Sequence, residues 1–180
     1  MTTLAAQATA FQNAVESNNL TQASTLLTSL KLQLISLPSL PPTCMASPSA
    51  IAERLLARTV LEWSTLYSLQ CQDMTGFERH FAQLKIYYTD FEEELQPSSL
   101  QYVIMGVRLL QYLIETRMSD FHGLLELIPD DKRNDVNIAY AIKMEQWMME
   151  GSYSKALEAR DTAPSAHWKP VLDKLLETVR

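Results

Sequence analysis

Apolar residues recur every three or four positions along almost the whole chain, the spacing of one face of an α-helix. The clearest run is Phe77, Phe81, Leu84, Tyr88 and Phe91. The opposite side of that run carries Arg79, Gln83, Ile86 and Asp90, mostly polar. The preceding residues, Ala50 to Cys71, hold a second stripe of Ala52, Leu56, Val60, Trp63, Tyr67 and Cys71. Only a short polar break separates the two, so they are expected to fold back as an antiparallel helical hairpin. Asp73 or Thr75 can cap the second helix by accepting a bond from a first-turn N–H.

The same pattern predicts helices on both sides of this hairpin. A first runs from about Thr3 to Ser17, with Leu4, Ala8, Phe11 and Val15 on one face, and is broken at Asn18-Asn19. A second runs from about Thr21 to Ile35, with Ala23, Leu26, Leu27, Leu30 and Leu34 inward. After Pro97, Ser98 or Ser99 is expected to cap a fifth helix that is apolar nearly all round, through Leu100, Val103, Ile104, Val107, Leu110 and Ile114. A helix of that kind is covered by neighbours on every side. Gly106 inside it suits close approach of another element. A short sixth helix is expected over 120–128, and a seventh over 134–150 that carries Tyr140, Met144, Trp147 and Met148 and stops at Gly151. An eighth is expected over 154–161. A ninth, from Pro164 or Ser165, carries Trp168, Val171, Leu172, Leu175, Leu176 and Val179, with Pro170 as a kink or its true start.

One junction recurs. An apolar residue, a Ser or Thr, any residue, then Ala or Phe appears as Leu20-Thr21-Gln22-Ala23, Met74-Thr75-Gly76-Phe77, Met118-Ser119-Asp120-Phe121 and Tyr153-Ser154-Lys155-Ala156. In each, the hydroxyl is expected to cap a helix and the apolar residue to staple its start. The copies lie roughly 35–55 residues apart, in the range of helical-hairpin repeats. The expected fold is therefore all-α, a degenerate TPR-like hairpin repeat stacked as a right-handed solenoid. No alternating β-branched run argues for a strand.

Prolines change this picture in one place. Four of the eight lie between Pro38 and Pro48, so 36–49 is expected to be a linker between an N-terminal hairpin, 1–35, and the remaining helices, 50–180. Pro38 and Pro41 also make a Pro-x-x-Pro pair, more often a plain connector than a ligand for a polyproline reader. Hydrophobic residues make up 47% of the 180, enough for a sizeable core. The net charge of −6 and the lack of a Lys/Arg cluster argue against nucleic acid as a partner. No run approaches the roughly 20 apolar residues of a membrane span. The first 14 residues carry no basic residue of a targeting peptide, which points to cytoplasm and nucleus. Cys44 and Cys71 are expected to be free thiols.

Candidate chemistry is thin. His80, His122 and His167 show no metal-ligand spacing, and there is no phosphate loop or nucleophile elbow, so no cofactor or metal is expected. Ser152 and Lys155 match Ser-x-x-Lys, but the companion motifs of that hydrolase class are absent and a capping role for Ser152 is simpler. Met144, Met148 and Met149 could line a groove, though at helical spacing they read first as core. What is left is a non-catalytic helical repeat that presents surfaces to partners. The outward side chains of the fourth helix, Arg79, Gln83 and Asp90, are the candidate partner-binding residues.

Two stretches carry a resemblance. Asp73-Met-Thr-Gly-Phe-Glu-Arg-His-Phe-Ala-Gln-Leu-Lys-Ile-Tyr-Tyr-Thr-Asp-Phe91 and, later in the matching order, Glu145-Gln-Trp-Met-Met-Glu-Gly-Ser-Tyr-Ser-Lys155 resemble the PCI-domain subunits of the proteasome regulatory-particle lid. The likeness covers roughly Ile51 to Arg180. It implies that 50–180 is the helical-repeat part of a PCI domain, whose winged helix is not seen in this sequence. The pattern still runs at Arg180, as expected of a chain that continues. The resemblance implies a scaffold that supports degradation of ubiquitin-tagged proteins without cutting anything. Its implied partners are neighbouring lid subunits and a proteasomal ubiquitin receptor, and the isolated chain is expected to be a monomer. Related PCI scaffolds, the small signalosome subunit and the k subunit of translation initiation factor three, are the alternatives.

Overall fold

Why the chain turns back on itself is visible at four junctions, all built alike. The computed structural model describes residues 2–37, 39–41, 49–91, 94–160, 163–164, 168 and 171–175. These form α1 (Thr2–Glu16), α2 (Leu20–Ile35), α3 (Ala50–Gln70), α4 (Met74–Thr89), α5 (Gln101–Ile114), α6 (Met118–Glu126), α7 (Val136–Met149) and α8 (Tyr153–Ala159), with a further helical stretch at 171–175. Among the described residues there is no strand. Helices α1 and α2, α3 and α4, α5 and α6, and α7 and α8 pair as successive hairpins.

Each hairpin turns through a left-handed residue: Asn18 at φ 59°, Gln72 at 57°, Thr116 at 55° and Gly151 at 70°. In each, that residue's N–H reaches back three residues, and the next residue's N–H reaches back five. The bonds run from Asn18 to Val15 and Asn19 to Ala14, from Gln72 to Leu69 and Asp73 to Ser68, from Thr116 to Leu113 and Arg117 to Tyr112, and from Gly151 to Met148 and Ser152 to Trp147. This is the Schellman pattern that satisfies the last carbonyls of a helix. The recurring four-residue junction begins at the first residue of α2, α4, α6 and α8. Its fourth residue, Ala23, Phe77, Phe121 or Ala156, is buried in every copy. The repeat in the sequence is thus a repeat in the structure.

The capping expectation for its hydroxyls is corrected. Thr21, Thr75, Ser119 and Ser154 are each the second helical residue, inside the helix rather than before it. The caps lie two residues earlier. Asn19 Oδ1 accepts from Gln22 N at 3.5 Å and Asp73 Oδ1 from Gly76 N at 2.9 Å, while Arg117 and Ser152 make no side-chain cap bond. A Cβ on Gly76 would collide with the Asp73 carboxylate, which explains a glycine in the first turn of α4. Asp135 caps α7, its Oδ1 accepting from Asn137 N at 2.9 Å. At the start of α5, Ser98 Oγ accepts from Leu100 N at 3.3 Å, but the N-cap is Leu100, without a side-chain bond.

The described chain forms two compact units, 1–97 and 98–180. In the first, α3 contacts α1, α2 and α4, its pairing with α4 being the most extensive between any two helices. Phe11, Val15, Ala23, Leu27, Leu30 and Val60 form the core of the α1–α2 side, with Leu56, Trp63 and Tyr67 packed on it. The single stripe expected on α3 is therefore one of two buried sides. Ala57, Leu61, Leu66 and Leu69 are buried outside that stripe, whereas Ala52 and Cys71 are exposed. The α4 stripe holds: Phe77, Phe81, Leu84 and Tyr88 are buried, and Phe91 is half-buried.

In the second unit, α5 packs against α6 and α7 and is buried almost all round, as its composition predicts. Trp168, Val171, Leu172 and Leu175 are fully buried. Gly106 is where the backbone of α5 meets Trp168: a Cβ there would stand 2.7 Å from the indole ring. Met144 is core, Met148 is half-buried and Met149 is exposed. Pro38, Pro42, Pro48, Cys44, Asp161, Ser165, His167, Pro170, Leu176 and Val179 lie outside the described residues.

Candidate partner-binding groove

The long-range hairpin geometry of the first unit leaves a channel over α3. Its walls are α2 and α4, its floor includes Ala57, Leu61 and Ser68, and Leu37, Leu40 and Pro41 line it as well. The volume is about 970 Å³. That is the upper end of small-ligand pockets, and apolar walls with a few placed polar groups suit recognition.

The wall at 39–41 is held from α3. Arg54 Nε donates to the Ser39 carbonyl at 3.3 Å, its guanidinium lies 4.3 Å from the centre of the Phe91 ring, and it pairs with the Glu94 carboxylate. Cation–π contact and charge-assisted bonding fix a planar guanidinium well. Leu40 is buried beside it. One turn further, Arg58 donates to the Gln96 carbonyl at 2.5 Å and lies 3.7 Å from Glu62, which accepts from the Tyr88 hydroxyl at 2.9 Å. Burial, then the Glu62 charge, pushes the Tyr88 hydroxyl far above the ordinary phenol range. These bonds fasten α4 and the segment after it to α3.

At mid-groove a chain of polar contacts crosses from α2 to α4 to α3. Lys31 Nζ lies 2.7 Å from His80 Nε2, His80 Nδ1 lies 2.9 Å from Ser68 Oγ, and Ser68 Oγ donates to the Ser64 carbonyl at 3.0 Å. An ammonium can only donate, so it takes the Nε2 lone pair and leaves the proton on Nδ1, facing Ser68. His80 is held neutral, its pKa lowered to about 4 by burial and then by the Lys31 charge. Burial also lowers Lys31, with the Arg79 charge adding to it. A serine beside a histidine suggests a nucleophile and its base. Here the base has its lone pair occupied and its proton aimed at the serine, the reverse of what activation requires.

Of the three candidate residues, Arg79 and Gln83 line this groove, and Asp90 does not. All three are exposed. Arg79 Nε donates to the Thr75 carbonyl of its own helix at 3.4 Å, and Asp90 accepts from the Thr89 hydroxyl at 2.9 Å beyond the end of α4. The pattern of α4 alone did not reveal Lys31, His80 and Ser68, because they come from three helices and only the fold brings them together. Ser152 and Lys155 are a half-buried residue before α8 and an exposed residue on it, linked by Lys155 N donating to the Ser152 carbonyl at 3.1 Å. Among the described residues no group of three His, Cys, Asp or Glu could hold a metal ion, and no helix is long and apolar enough to cross a membrane.

Comparison with known proteins adds an identity to this geometry. The CSN8/PSMD8/EIF3K family matches residues 99–180, which is nearly the whole of the second unit. The chain is 36% identical over 180 residues to the 26S proteasome non-ATPase regulatory subunit 8 homolog A of Arabidopsis thaliana, covering 100% of this chain and 67% of that protein. It is 29% identical over 147 residues to the 26S proteasome regulatory subunit RPN12 of Saccharomyces cerevisiae, covering 79% of this chain and 54% of the yeast protein. It is 30% identical over 127 residues to the 26S proteasome non-ATPase regulatory subunit 8 of Caenorhabditis elegans, covering 70% of this chain and 50% of that protein. The chain thus spans about two thirds of the plant relative and about half of the other two. With a match that runs through both units, this chain belongs to the family of the proteasome non-ATPase regulatory subunit 8.

Proposed function

We propose that this chain acts as a non-catalytic scaffold of the proteasome regulatory-particle lid, supporting degradation of ubiquitin-tagged proteins by binding neighbouring subunits. The observation that carries this is the match to a named proteasome regulatory subunit through the whole chain. The structure supports it in kind. Helical hairpins build surfaces for partners, and the His80 lone pair that would have to activate Ser68 is taken by Lys31.

Neighbouring lid subunits are the partners in this reading, with a proteasomal ubiquitin receptor a further one. The face bearing Arg79, Gln83 and Asp90 is the docking side, the chain alone is a monomer, and it works in cytoplasm and nucleus. A tagged copy, cross-linked in cells and purified, is expected to recover lid subunits. Recovery of signalosome subunits or translation initiation factors in their place would overturn the reading in favour of a related scaffold.

A further inference from the structure

The groove of the first unit has a rim that the described residues leave incompletely satisfied. Ile35 is 81% exposed and Ile86 37% exposed, and they border it from opposite walls. Lys31 and Arg79 stand near enough for the Arg79 charge to act on Lys31. Among the described residues neither meets a carboxylate at ion-pair distance. The acidic side chain on the lining, Asp73, is engaged at the cap of α4. Two neighbouring cations, one of them half-buried, in a chain of net charge −6 form a local field opposite in sign to the whole. Such a field selects an acidic partner and repels a basic one.

The shape narrows the choice. The lining residues of α2 from Leu27 to Ile35 span about 12 Å, and those of α4 from Gly76 to Ile86 about 15 Å, at the rise of an α-helix. Two such walls over an apolar floor make a cradle for about two to three turns of a guest helix. Residues 42–48 of this chain, Pro-Thr-Cys-Met-Ala-Ser-Pro, contain no acidic residue and do not supply the missing charge.

We propose that this groove receives an amphipathic helix of a partner protein, its apolar side against Leu34, Ile35 and Ile86 and a carboxylate on its edge between Lys31 and Arg79. The proposal rests on the scaffold reading and gives one of its partners a chemistry. His80 serves it from beneath by holding Lys31 Nζ in place at 2.7 Å without adding a third positive charge.

A display library of helical peptides of about 16 residues, roughly 24 Å long, selected on the intact 180-residue chain tests this. The enriched peptides are expected to pair Leu, Ile or Met at i, i+3 or i+4 and i+7 with an Asp or Glu beside them. Their affinity should fall about tenfold or more on Arg79→Glu and on Lys31→Glu, as when charges across an interface are reversed. A peptide with Lys in place of its acid should recover binding to Arg79→Glu. Arg79 is exposed and, among the described residues, bonds only its own helix, so a melting curve like the parent's is expected for that variant. No enrichment, enriched peptides without an acid, equal binding to parent and variants, or self-association of the chain through these same residues would each overturn the proposal. A chain that recovers lid subunits in cells yet selects no acidic helix sinks the groove and leaves the scaffold reading standing. The opposite result sinks the scaffold reading alone.

Discussion

The two central helices, α3 in the first unit and α5 in the second, are buried to a similar extent by different means. Helix α5 buries Ile104, Val107, Leu109, Leu110 and Leu113 with three polar residues, Gln101, Arg108 and Gln111, Arg108 donating to Gln111 Oε1 at 2.8 Å, and it approaches Trp168 closely at Gly106. Helix α3 buries Glu53, Arg54, Arg58, Glu62, Ser64, Thr65 and Ser68 as well as its leucines. Its hydroxyls bond its own carbonyls, Ser64 to Val60 and Thr65 to Glu62 at 2.6 Å each. Its charged groups reach the segments that flank the groove. Most of what α5 buries is apolar and packs with little directional demand. The polar bonds of α3 fix which atoms meet, so a channel can stay open beside it with its walls in place. Each buried polar group then needs its partner, since an orphaned one costs more than a lost contact.

The largest effects should expose that difference. Glu62→Ala removes the acceptor of Tyr88 and the carboxylate beside the buried Arg58 guanidinium. The expected loss is about 3–5 kcal/mol, the cost of breaking a buried pair from one side. Leu110→Ala in α5 is expected to cost about 2–5 kcal/mol through a cavity. The comparison sharpens with Leu110→Met and Glu62→Met. A volume-conserving swap is tolerated in an apolar core at below about 1.5 kcal/mol. The same residue at 62 should remain nearly as damaging as alanine. Denaturant melts of the four variants decide it. Equal losses for the two methionine variants would show that α3 is held by packing just as α5 is.

How much of this was legible follows from the same contrast. Helix α5, the α4 stripe and the close approach at Gly106 were all readable, because apolar spacing and an isolated glycine carry their own meaning. The second buried side of α3 was not, because Glu62, Ser64 and Thr65 look solvent-facing until their bonds are seen. The recurring junction was readable as a repeat but not in its mechanism. Its fourth position is the buried anchor, and the turn before it depends on a positive φ that Gln72 and Thr116 do not advertise. In the groove, Arg79 and Gln83 could be picked from α4 alone. Lys31 and His80 are 49 residues apart in sequence, a separation no local pattern spans.

A smaller break tests the junctions. Asp73→Ala should cost about 0.5–2 kcal/mol as a lost N-cap, while Thr75→Ala should stay within about 0.5 kcal/mol because its hydroxyl caps nothing. Comparable losses for both would restore the hydroxyl as the cap.

The polar interior of the first unit should also show in its acid response. His80 is neutral in the fold, with its pKa lowered to about 4, while an unfolded histidine titrates near 6.5. Below the unfolded value the unfolded chain binds a proton that the native one does not. The stability gained from a neutral His80 is therefore complete above about pH 6.5 and is lost progressively as pH falls towards about 4. The charges that act on His80 are Lys31 and Arg79, which lower it, and Asp73, which raises it. His80→Gln has no proton to gain, so its melting temperature should fall less than the parent's between about pH 7.5 and about pH 5. Parallel acid limbs would mean that the lysine–histidine–serine chain does not control this response.

The smallest effect compares the turns themselves, which are alike in both units but differ in residue. Gly151 adopts φ 70° at no steric cost, whereas Thr116 holds φ 55° with a branched side chain. For an L-residue the left-handed conformation costs roughly 1–2 kcal/mol, and β-branching makes it worse. A glycine removes that cost but loses more backbone freedom on folding, by roughly 0.5–1 kcal/mol. Thr116→Gly should therefore stabilise by about 0.5–1 kcal/mol. Asn18→Gly should gain less, because asparagine tolerates this region and a few tenths of a kcal/mol is all that remains. The Thr116 hydroxyl contacts the Glu115 carbonyl at 2.7 Å, a local bond at an exposed site whose loss to water is slight. In a denaturant titration the gain should appear as a higher midpoint with an unchanged slope, since no buried surface is altered. A destabilised Thr116→Gly chain would show that its side chain supports the α5–α6 turn, and that the four junctions share their hydrogen bonds without sharing their energetics.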